Sequence, residues 1–232
     1  MSTNFSSETH NVNSPSKWER DYQSGEAGWD IGTPTPVFQR LLREGALEQG
    51  ALDGALENAP YAGDLSRGAI QFPPGRILVP CAGRGHDARE FARHGFEVVA
   101  VDFAREAVEQ MRALMDDASQ YEIWQGDLFQ LPQEWNDTFD YVLEYTCYCA
   151  IDPQRREEYA DMIARVLKRG GKYIALALPL NERVGGPPFT VKPDELISQL
   201  TRRGLKLLHR EFPPDSIKPR KGNEELLVMK KT

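Results

Sequence analysis

The chain has 232 residues, a formal net charge of −7 and a pI of about 5.2. This length suits one domain with a sizeable core, and the acidic balance argues against a nucleic-acid-binding surface, which is normally basic. No apolar stretch approaches the length that spans a membrane, and the polar N-terminus lacks the apolar core of a signal peptide. The three cysteines lack the spacing of a metal site, which favours a reducing, cytoplasmic location.

The N-terminal segment combines a polar tail with large aromatic side chains. Residues 1–15 are rich in Ser, Thr and Asn, which predicts a disordered tail or a tail that orders on a ligand. Trp18 and Tyr22 are four residues apart and would share one helical face, and Trp29 follows a glycine-bounded loop. Because exposed rings need a partner, residues 16–36 are either a helix packed on the core or an aromatic lid over a flat or cationic ligand.

A second helix and an insertion follow this segment. Thr33 and Pro34 form a typical helix start, with threonine as the cap and proline in the first turn. After that helix a Gly-Ala-Leu unit repeats and leads into a proline-containing stretch. We interpret residues 48–70 as an insertion that is helical at first and then loops.

The segment from Arg76 to Asp102 has the pattern strand, glycine turn, helix, strand and acid. Its apolar runs predict two buried parallel strands, joined by a turn at Gly83 and a helix that begins near His86. A carboxylate at the end of the second strand, Asp102, can accept hydrogen bonds from both hydroxyls of a ribose. The glycine spacing fits nicotinamide enzymes as well as S-adenosylmethionine methyltransferases. The segment therefore predicts nucleoside binding and leaves the cofactor open.

The rest of the chain alternates strands with helices. Strands are predicted over 121–127, 139–145 and 172–178, helices over 104–115, 153–167 and 191–203, and a terminal strand pair over 205–212 and 225–230. Arg155 and Arg156 are expected on the solvent side of their helix, and 168–171 is expected to be a turn. The alternation predicts an α/β fold with a mostly parallel sheet and helices on both faces.

Polar side chains stand at the predicted strand ends, where ligands of such sheets bind. These residues are Asp102, Asp127, Glu144 and Tyr145. Cys147 and Cys149 follow in an apolar stretch and are expected to pack in the core or line a pocket rather than bind zinc. The segment 181–190 is long and rich in Gly and Pro for a simple connection, so it is a candidate functional loop.

Short motifs lie along almost the whole chain: W-E-R-D-Y, G-W-D-I-G-T-P-T-P, I-L-V-P-C-A-G-R-G-H-D, V-V-A-V-D-F, G-D-L-F, F-D-Y-V-L-E-Y-T-C-Y-C-A-I-D-P, L-K-R-G-G, G-G-P-P-F-T-V and I-K-P-R-K-G-N-E. Together they resemble the thiopurine methyltransferase family, and within it the halide, thiocyanate and thiol methyltransferases. The resemblance implies one domain over residues 16–232, apart from the insertion. It also implies a Rossmann-like class I S-adenosylmethionine-dependent methyltransferase fold with about seven strands, the last one antiparallel.

The resemblance implies S-adenosylmethionine as the methyl donor, without a metal. The residues that it places at the donor are Trp18, Tyr22, Trp29, Cys81, Gly83, Asp102, Phe103, Asp127, Leu128 and Tyr145. Asp102 would hold the ribose hydroxyls, and Asp127 would accept a hydrogen bond from the exocyclic amine of the adenine. The family often has tryptophan at the position of Tyr22 and glycine at that of Cys81, which leaves the contact at Cys81 altered or purely backbone.

The resemblance also implies methyl transfer to a small sulfur or halide nucleophile, such as a thiol, sulfide, thiocyanate or halide. Such anions need no strong base, so we expect positioning rather than a dedicated catalytic residue, with Tyr145 and Asp30 as the candidates. The expected acceptor walls are Asp30, Tyr148, Pro187, Pro188, Phe189 and, more weakly, Cys147. Two alternatives stay open: a methyltransferase of a larger aromatic thiol or natural product, and a donor-binding sensor without turnover. In each case we expect a monomer whose partner is a small molecule.

Overall fold

The computed structural model describes residues 11–48 and 69–232 of the chain. Most of the predicted insertion, residues 49–68, lies outside the described residues, whereas residues 11–14 of the predicted tail form a turn before the first helix. The helices are α1 (Pro15–Ser24), α2 (Pro36–Glu44), α3 (His86–Arg93), α4 (Arg105–Ala113), α5 (Arg156–Val166) and α6 (Pro193–Thr201). The strands are β1 (Ala46–Glu48), β2 (Ala69–Gln71), β3 (Arg76–Pro80), β4 (Glu97–Asp102), β5 (Glu122–Gln125), β6 (Phe139–Tyr145), β7 (Leu167–Ala177), β8 (Leu205–Glu211) and β9 (Glu225–Lys231). Within the described ranges, no helix is both long and apolar enough to cross a bilayer.

Seven strands form one sheet in the order β5-β4-β3-β6-β7-β9-β8, and β1 pairs with β2 in a separate two-stranded sheet. The pairs from β5 to β7 are parallel, and β9 runs antiparallel to both of its neighbours. The predicted α/β fold, with about seven strands and an antiparallel last strand, is therefore confirmed. The chain order reverses between β3 and β6, which opens a crevice at the carboxyl ends of these two strands.

The sheet is buried on both faces, because its central strands are apolar at nearly every position. Successive side chains of a strand point to opposite faces. Leu78 of β3 packs on the face that is covered by α5 and α6, whereas Ile77 packs on the face covered by α2 and α3. Helix α1 packs separately against α4, through Tyr22 and Ala107. The continuous apolar runs in the sequence are thus explained by strands that are buried on both faces of the sheet.

The predicted start of the second helix was wrong by two residues. Helix α2 begins at Pro36, with Thr35 in extended conformation as its N-cap. The carboxylate of Asp87 accepts hydrogen bonds from the backbone N–H and the hydroxyl of Thr35, at 2.7 and 2.8 Å. Because Asp87 lies 52 residues further along the chain, this long-range pair overrides the local helix-start signal at Pro34.

The segment 168–171 is not a turn between elements but an irregular part of β7. Leu167 pairs with Phe139 and Lys172 pairs with Tyr141, so β7 carries extra residues between these two register points. This is a β-bulge, which keeps the strand in the sheet while bending it.

The prediction that Arg156 faces solvent was also wrong. Its guanidinium lies 4.4 Å from the centre of the Tyr148 ring and donates a hydrogen bond to the carbonyl of Thr190 at 3.1 Å. The neighbouring guanidinium, that of Arg155, lies 3.6 Å over the ring of Phe129. A planar guanidinium can be buried when it stacks on a ring in this way, and both arginines thereby hold the loops at the carboxyl end of the sheet.

Candidate active site

The polar ends of β3, β4, β5 and β6 meet at one edge of the sheet, as the strand order requires. Three neighbouring cavities lie above this edge. The first is lined by Asp102, Phe103, Gly126, Asp127, Leu128 and Phe129, among others, and the second by the turn from Cys81 to Arg84. The third lies between α1 and the loop 181–190. Trp29 and Thr146 line all three cavities, so the three spaces meet at these two residues.

The glycine turn after β3 is fixed by the acid at the end of β4. Asp102 accepts a hydrogen bond from the backbone N–H of Gly83 at 2.9 Å and from that of Ala104 at 2.9 Å. Gly83 has a φ of 55°, and a Cβ there would lie 2.6 Å from the Tyr22 hydroxyl, so glycine is required. Burial raises the pKa of Asp102 to about 6, against the opposing effect of these N–H donors.

Cys81 occupies the first position of the turn and is bonded to Cys147. The disulfide joins the end of β3 to the loop after β6, with the two Cα atoms 5.4 Å apart. Cys81 has a φ of 49°, a conformation that favours glycine. Cys149 is a buried free thiol. The sequence predicted core packing or pocket lining for Cys147 and reduced thiols for all three cysteines. The structure differs on the second point, because Cys81 and Cys147 form a covalent link between neighbouring strand ends.

The predicted lid residues form one aromatic cluster over the turn. The ring centre of Trp29 lies 5.3 Å from that of Trp18 and 5.5 Å from that of Tyr22, both in edge-to-face geometry. The indole N–H of Trp18 donates to the carbonyl of Val12 at 3.0 Å, which ties the segment before α1 to the cluster. Helix α1 lies between these spaces, because Tyr22 lines the first and second cavities and Lys17 lines the third.

Asp30 lies on the side of the glycine turn and does not line the third cavity. Its carboxylate accepts a hydrogen bond from Arg84 at 2.7 Å, and His86 Nε2 lies 3.2 Å from its other oxygen. The backbone N–H of Gly32 also donates to it at 2.7 Å. Burial opposes ionisation, but these hydrogen bonds hold the pKa of Asp30 below its usual value. The other ring nitrogen of His86, Nδ1, lies 2.7 Å from the Arg89 guanidinium.

The far end of the first cavity is built from the short helical turn after β5. Asp127 caps this turn by accepting a hydrogen bond from the backbone N–H of Phe129 at 3.0 Å. Leu128 is buried beneath it, and the Phe103 backbone follows Asp102 on the opposite wall. Gly83 and Tyr145 line the second cavity, so the structure brings the predicted donor residues together around the first two cavities.

The predicted acceptor residues divide into two groups. Pro187 and Pro188 line the third cavity, with Cys149 and Thr146 at its inner end. Tyr148 is buried behind this wall, where its hydroxyl donates to Gln199 at 2.9 Å. Phe189 is half-buried and does not line the third cavity, and its backbone N–H donates to the carbonyl of Cys149 at 2.7 Å.

Arg220 is a site residue that the sequence reasoning missed. Its guanidinium donates hydrogen bonds to the Tyr145 hydroxyl and to the carbonyl of Trp29, and it lines the third cavity. The hydroxyl of Tyr145 donates in turn to Glu224 at 2.9 Å. Burial, followed by the charge of Glu224, raises the pKa of Tyr145, so its hydroxyl stays protonated. The available signal was the motif I-K-P-R-K-G-N-E, which contains Arg220 and is polar next to a buried strand.

Glu144 fixes the loop that follows β6. One oxygen, Oε1, accepts hydrogen bonds from the backbone N–H groups of Cys147 and Tyr148, at 3.1 and 2.9 Å. The side chain is buried, and burial raises its pKa to about 7. Through this loop Glu144 holds Thr146, which has a φ of 63° and lines all three cavities. Glu144 is therefore a positioning residue for the junction.

Replacing Glu144 with leucine should lower the free energy of unfolding by about 2–4 kcal/mol, because two buried N–H groups lose their acceptor. For a chain of this length that corresponds to a melting temperature lower by roughly 5–15 °C in thermal unfolding. Glu144→Gln is the matched control, since both bonds go to one oxygen and an amide retains that acceptor. Equal destabilisation by Leu and Gln would contradict this role.

The same pair of proteins gives a pH test. The pKa of Glu144 is raised in the folded state, so the stability that it contributes is fully present below about pH 4.5 and is lost as the pH rises through about 7. The free energy of unfolding of the wild type should fall relative to that of Glu144→Gln across this interval. Denaturant titrations at several pH values measure the difference, and a constant difference would contradict the titration of Glu144.

Comparison with known proteins agrees with the fold and with the motifs. The family model described as thiopurine S-methyltransferase matches residues 65–230. Probable thiol methyltransferase 2 of Arabidopsis thaliana is 31% identical over 223 residues, which cover 95% of this chain and 87% of that protein. Thiocyanate methyltransferase 1 of Brassica oleracea is 30% identical over 219 residues, covering 92% of this chain and 84% of that protein.

A solved structure, 1,6-didemethyltoxoflavin-N1-methyltransferase of Burkholderia thailandensis, has a TM-score of 0.61 at 18% identity, covering 94% of this chain and 87% of that chain. At that identity the likeness concerns the fold alone. The family match and the relatives decide between the two cofactor classes that the glycine spacing left open, in favour of the methyltransferases. The chain belongs to the thiopurine S-methyltransferase family of S-adenosylmethionine-dependent methyltransferases.

Proposed function

We propose that this methyltransferase acts on small nucleophiles, namely the sulfur of thiols, sulfide and thiocyanate, or a halide ion. The observation that carries the proposal is the meeting of the three cavities at Trp29 and Thr146, with the Arg220 guanidinium beside that junction. The relatives named as thiol and thiocyanate methyltransferases support it, since they align over more than nine-tenths of this chain.

The donor-side residues fit S-adenosylmethionine. Asp102 is a buried carboxylate on the cavity wall, with lone pairs left for ribose hydroxyls after its two backbone bonds. Asp127 has oxygens near the far end for an adenine amine, and the rings of Trp18 and Trp29 suit a sulfonium cation. The donor-side cavities measure only about 80 and 70 Å³. Small-molecule sites are usually at least about 300 Å³, so the donor needs more room than these two cavities offer in this conformation.

S-adenosylmethionine, when bound, supplies a methyl group that its sulfonium has already activated, and the acceptor sulfur takes this methyl as the donor's carbon–sulfur bond breaks. The protein binds the acceptor, favours its ionised form and excludes water from it. The positive charge of Arg220 favours the thiolate form of an acceptor beside it. The Trp29 ring, which lines all three cavities, covers that point, and removal of water there strengthens a small anion as a nucleophile. Tyr145, held protonated, orients Arg220 rather than taking a proton.

A two-part experiment tests the proposal. Calorimetric titration with S-adenosylmethionine and S-adenosylhomocysteine measures donor binding, and headspace analysis then detects methylated products from sulfide, methanethiol, thiocyanate and iodide. Donor binding together with a volatile methylated product is the expected result. Donor binding without any product, also from larger thiols, would favour a sensor, and no binding of either compound would overturn the donor site.

Arg220→Gln should reduce kcat/KM for a thiol by about 10- to 100-fold, because one charge-assisted contact to the thiolate is lost. The loss should shrink as the pH rises, since without the cation the thiol ionises only at higher pH. Steady-state rates from pH 6 to 10 measure this shift. Arg220→Lys keeps the positive charge, so its pH–rate profile should lie at the same pH as that of the wild type. A uniform loss at every pH would contradict a role in thiol ionisation.

A larger organic thiol is the second candidate acceptor. The third cavity has a volume of about 540 Å³ and opens to solvent beside Pro187 and Pro188. Its walls accommodate more than a sulfide or halide ion, and this observation favours acceptors with a carbon skeleton.

A further inference from the structure

The shape of the third cavity restricts the acceptor further, given the proposed function. Its volume of about 540 Å³ lies in the range of sites for organic ligands, about 300–1,000 Å³. A hydrosulfide, thiocyanate or halide ion at the junction with Trp29 and Thr146 would leave most of that space to water. A second part of the acceptor would occupy that space.

Part of the cavity lining is apolar. Cys149, Ala150, Leu178, Pro179, Pro187 and Pro188 contribute to it. Proline has no backbone N–H, so these walls offer little to a polar chain. A short hydrocarbon segment fits this part of the cavity, and its burial is favourable in proportion to the apolar area that leaves water.

The charges at the cavity are unequal. Lys17 and Asp21 form an ion pair at 2.6 Å and offset each other. Glu26 is exposed on the lid side and is the other acid of the lining. Two guanidinium groups remain, those of Arg220 at the junction and Arg183 in the loop 181–190. The net charge of the lining is therefore positive.

The two arginines differ in the contacts of their guanidinium groups. Arg220 is held by Tyr145 and by the carbonyl of Trp29, so its position is fixed before any acceptor binds. Arg183 is exposed, and its backbone N–H is bound to Thr190 Oγ1 at 2.8 Å. Within residues 11–48 and 69–232, the Arg183 guanidinium has no ion-pair partner. The backbone bond holds the loop while the guanidinium is left for an anion at the cavity mouth.

We propose that the acceptor is an organic thiol that carries a carboxylate at the end remote from its sulfur. The thiolate lies at the junction beside Arg220, the hydrocarbon segment lies between the apolar walls, and the carboxylate binds Arg183. In the reaction the acceptor sulfur forms a bond to the methyl carbon, the carbon–sulfur bond of the sulfonium breaks, and S-adenosylhomocysteine leaves. The thiol proton goes to solvent, and the carboxylate is unchanged in the product.

Three thiols of similar length test the proposal: 3-mercaptopropanoate, 1-propanethiol and cysteamine. They place a carboxylate, a methyl group or an ammonium at the same distance from the sulfur. We expect kcat/KM to be about tenfold or more higher for 3-mercaptopropanoate than for 1-propanethiol, as for a charge-assisted hydrogen bond, and lowest for cysteamine. Equal values for the first two thiols would overturn the inference and leave the proposed function intact.

Variants of Arg183 connect the preference to this residue. In Arg183→Gln, the ratio of kcat/KM for 3-mercaptopropanoate to that for 1-propanethiol should fall to about one. In Arg183→Glu, the order of 3-mercaptopropanoate and cysteamine should invert. Arg169→Gln is the matched control, because Arg169 is an exposed arginine in β7 and lines none of the three cavities. A wild-type ratio in both Arg183 variants would overturn the inference.

A binding measurement tests the carboxylate site at Arg183 without relying on methyl transfer. Calorimetric titration of 3-(methylthio)propanoate into the protein with S-adenosylhomocysteine should give binding that Arg183→Gln weakens about tenfold and Arg169→Gln does not. If no thiol is methylated but this difference is found, the proposed function fails and the anion site stands. If thiols are methylated and the difference is missing, the anion site fails and the proposed function stands.

Discussion

Replacing Asp102 with alanine is expected to weaken the binding of S-adenosylmethionine by about 100-fold or more. The side chain would lose its contacts to the ribose hydroxyls and its hydrogen bonds to the N–H groups of Gly83 and Ala104. Hydrogen bonds to a charged group contribute about 1.5–3 kcal/mol each, and 2.7 kcal/mol is about 100-fold in affinity. Calorimetric titration with S-adenosylmethionine and S-adenosylhomocysteine measures the change in Kd.

The pH dependence of the wild type checks the same assignment. Because burial raises the pKa of Asp102 to about 6, the free protein carries a protonated Asp102 below that pH. Ribose hydroxyls donate best to the ionised form, so donor affinity should rise with pH up to about 6 and then level off. Asp102→Asn preserves the shape and removes the titration. If Asn and wild type showed the same Kd and the same pH dependence, Asp102 would not be a ribose ligand.

Replacing Trp29 with alanine is expected to reduce kcat/KM by about 100-fold, with losses in both donor affinity and turnover. The Trp29 ring joins Trp18 and Tyr22 and lines all three cavities. Its loss removes two aromatic contacts, worth about 0.5–1.5 kcal/mol each, together with a cation–π surface of similar worth. It also admits water to the junction. Donor titration and steady-state kinetics with one thiol measure both effects.

Trp29→Phe is the control for this experiment. Phenylalanine keeps a ring face for a cation but loses the indole N–H that donates to the Tyr22 hydroxyl at 3.2 Å. We expect it to recover most of the donor affinity. A Trp29→Ala variant with an unchanged Kd for the donor and an unchanged kcat would mean that the aromatic segment only packs on α4 and does not close over a ligand.

The regular part of the fold was predictable because it depends on local patterns. The strands β3 and β4 are predicted by their own apolar runs, and the turn between them is predicted by its glycines, including Gly83. A parallel sheet then brings the strand ends together without further information. Asp102 and Asp127 reach the same groove for that reason.

The parts that sequence reasoning missed depend on partners far away in the chain. Thr35 caps α2 because Asp87 reaches it, and Arg220 meets Tyr145 across 75 residues. Neither contact leaves a periodic trace in the sequence. The bond between Cys81 and Cys147 likewise depends on β3 and β6 being neighbours, which spacing alone does not reveal.

In the proposed arrangement, helix α1 separates the donor side from the acceptor side, because Tyr22 lines the first two cavities and Lys17 lines the third. A displacement of this helix that widens one space changes the other, so the two binding equilibria share one conformational variable. Thermodynamic linkage then requires reciprocity: the factor by which bound donor changes acceptor affinity equals the factor by which bound acceptor changes donor affinity. The affinities for donor and acceptor would thus be coupled before methyl transfer, because both substrates contact helix α1.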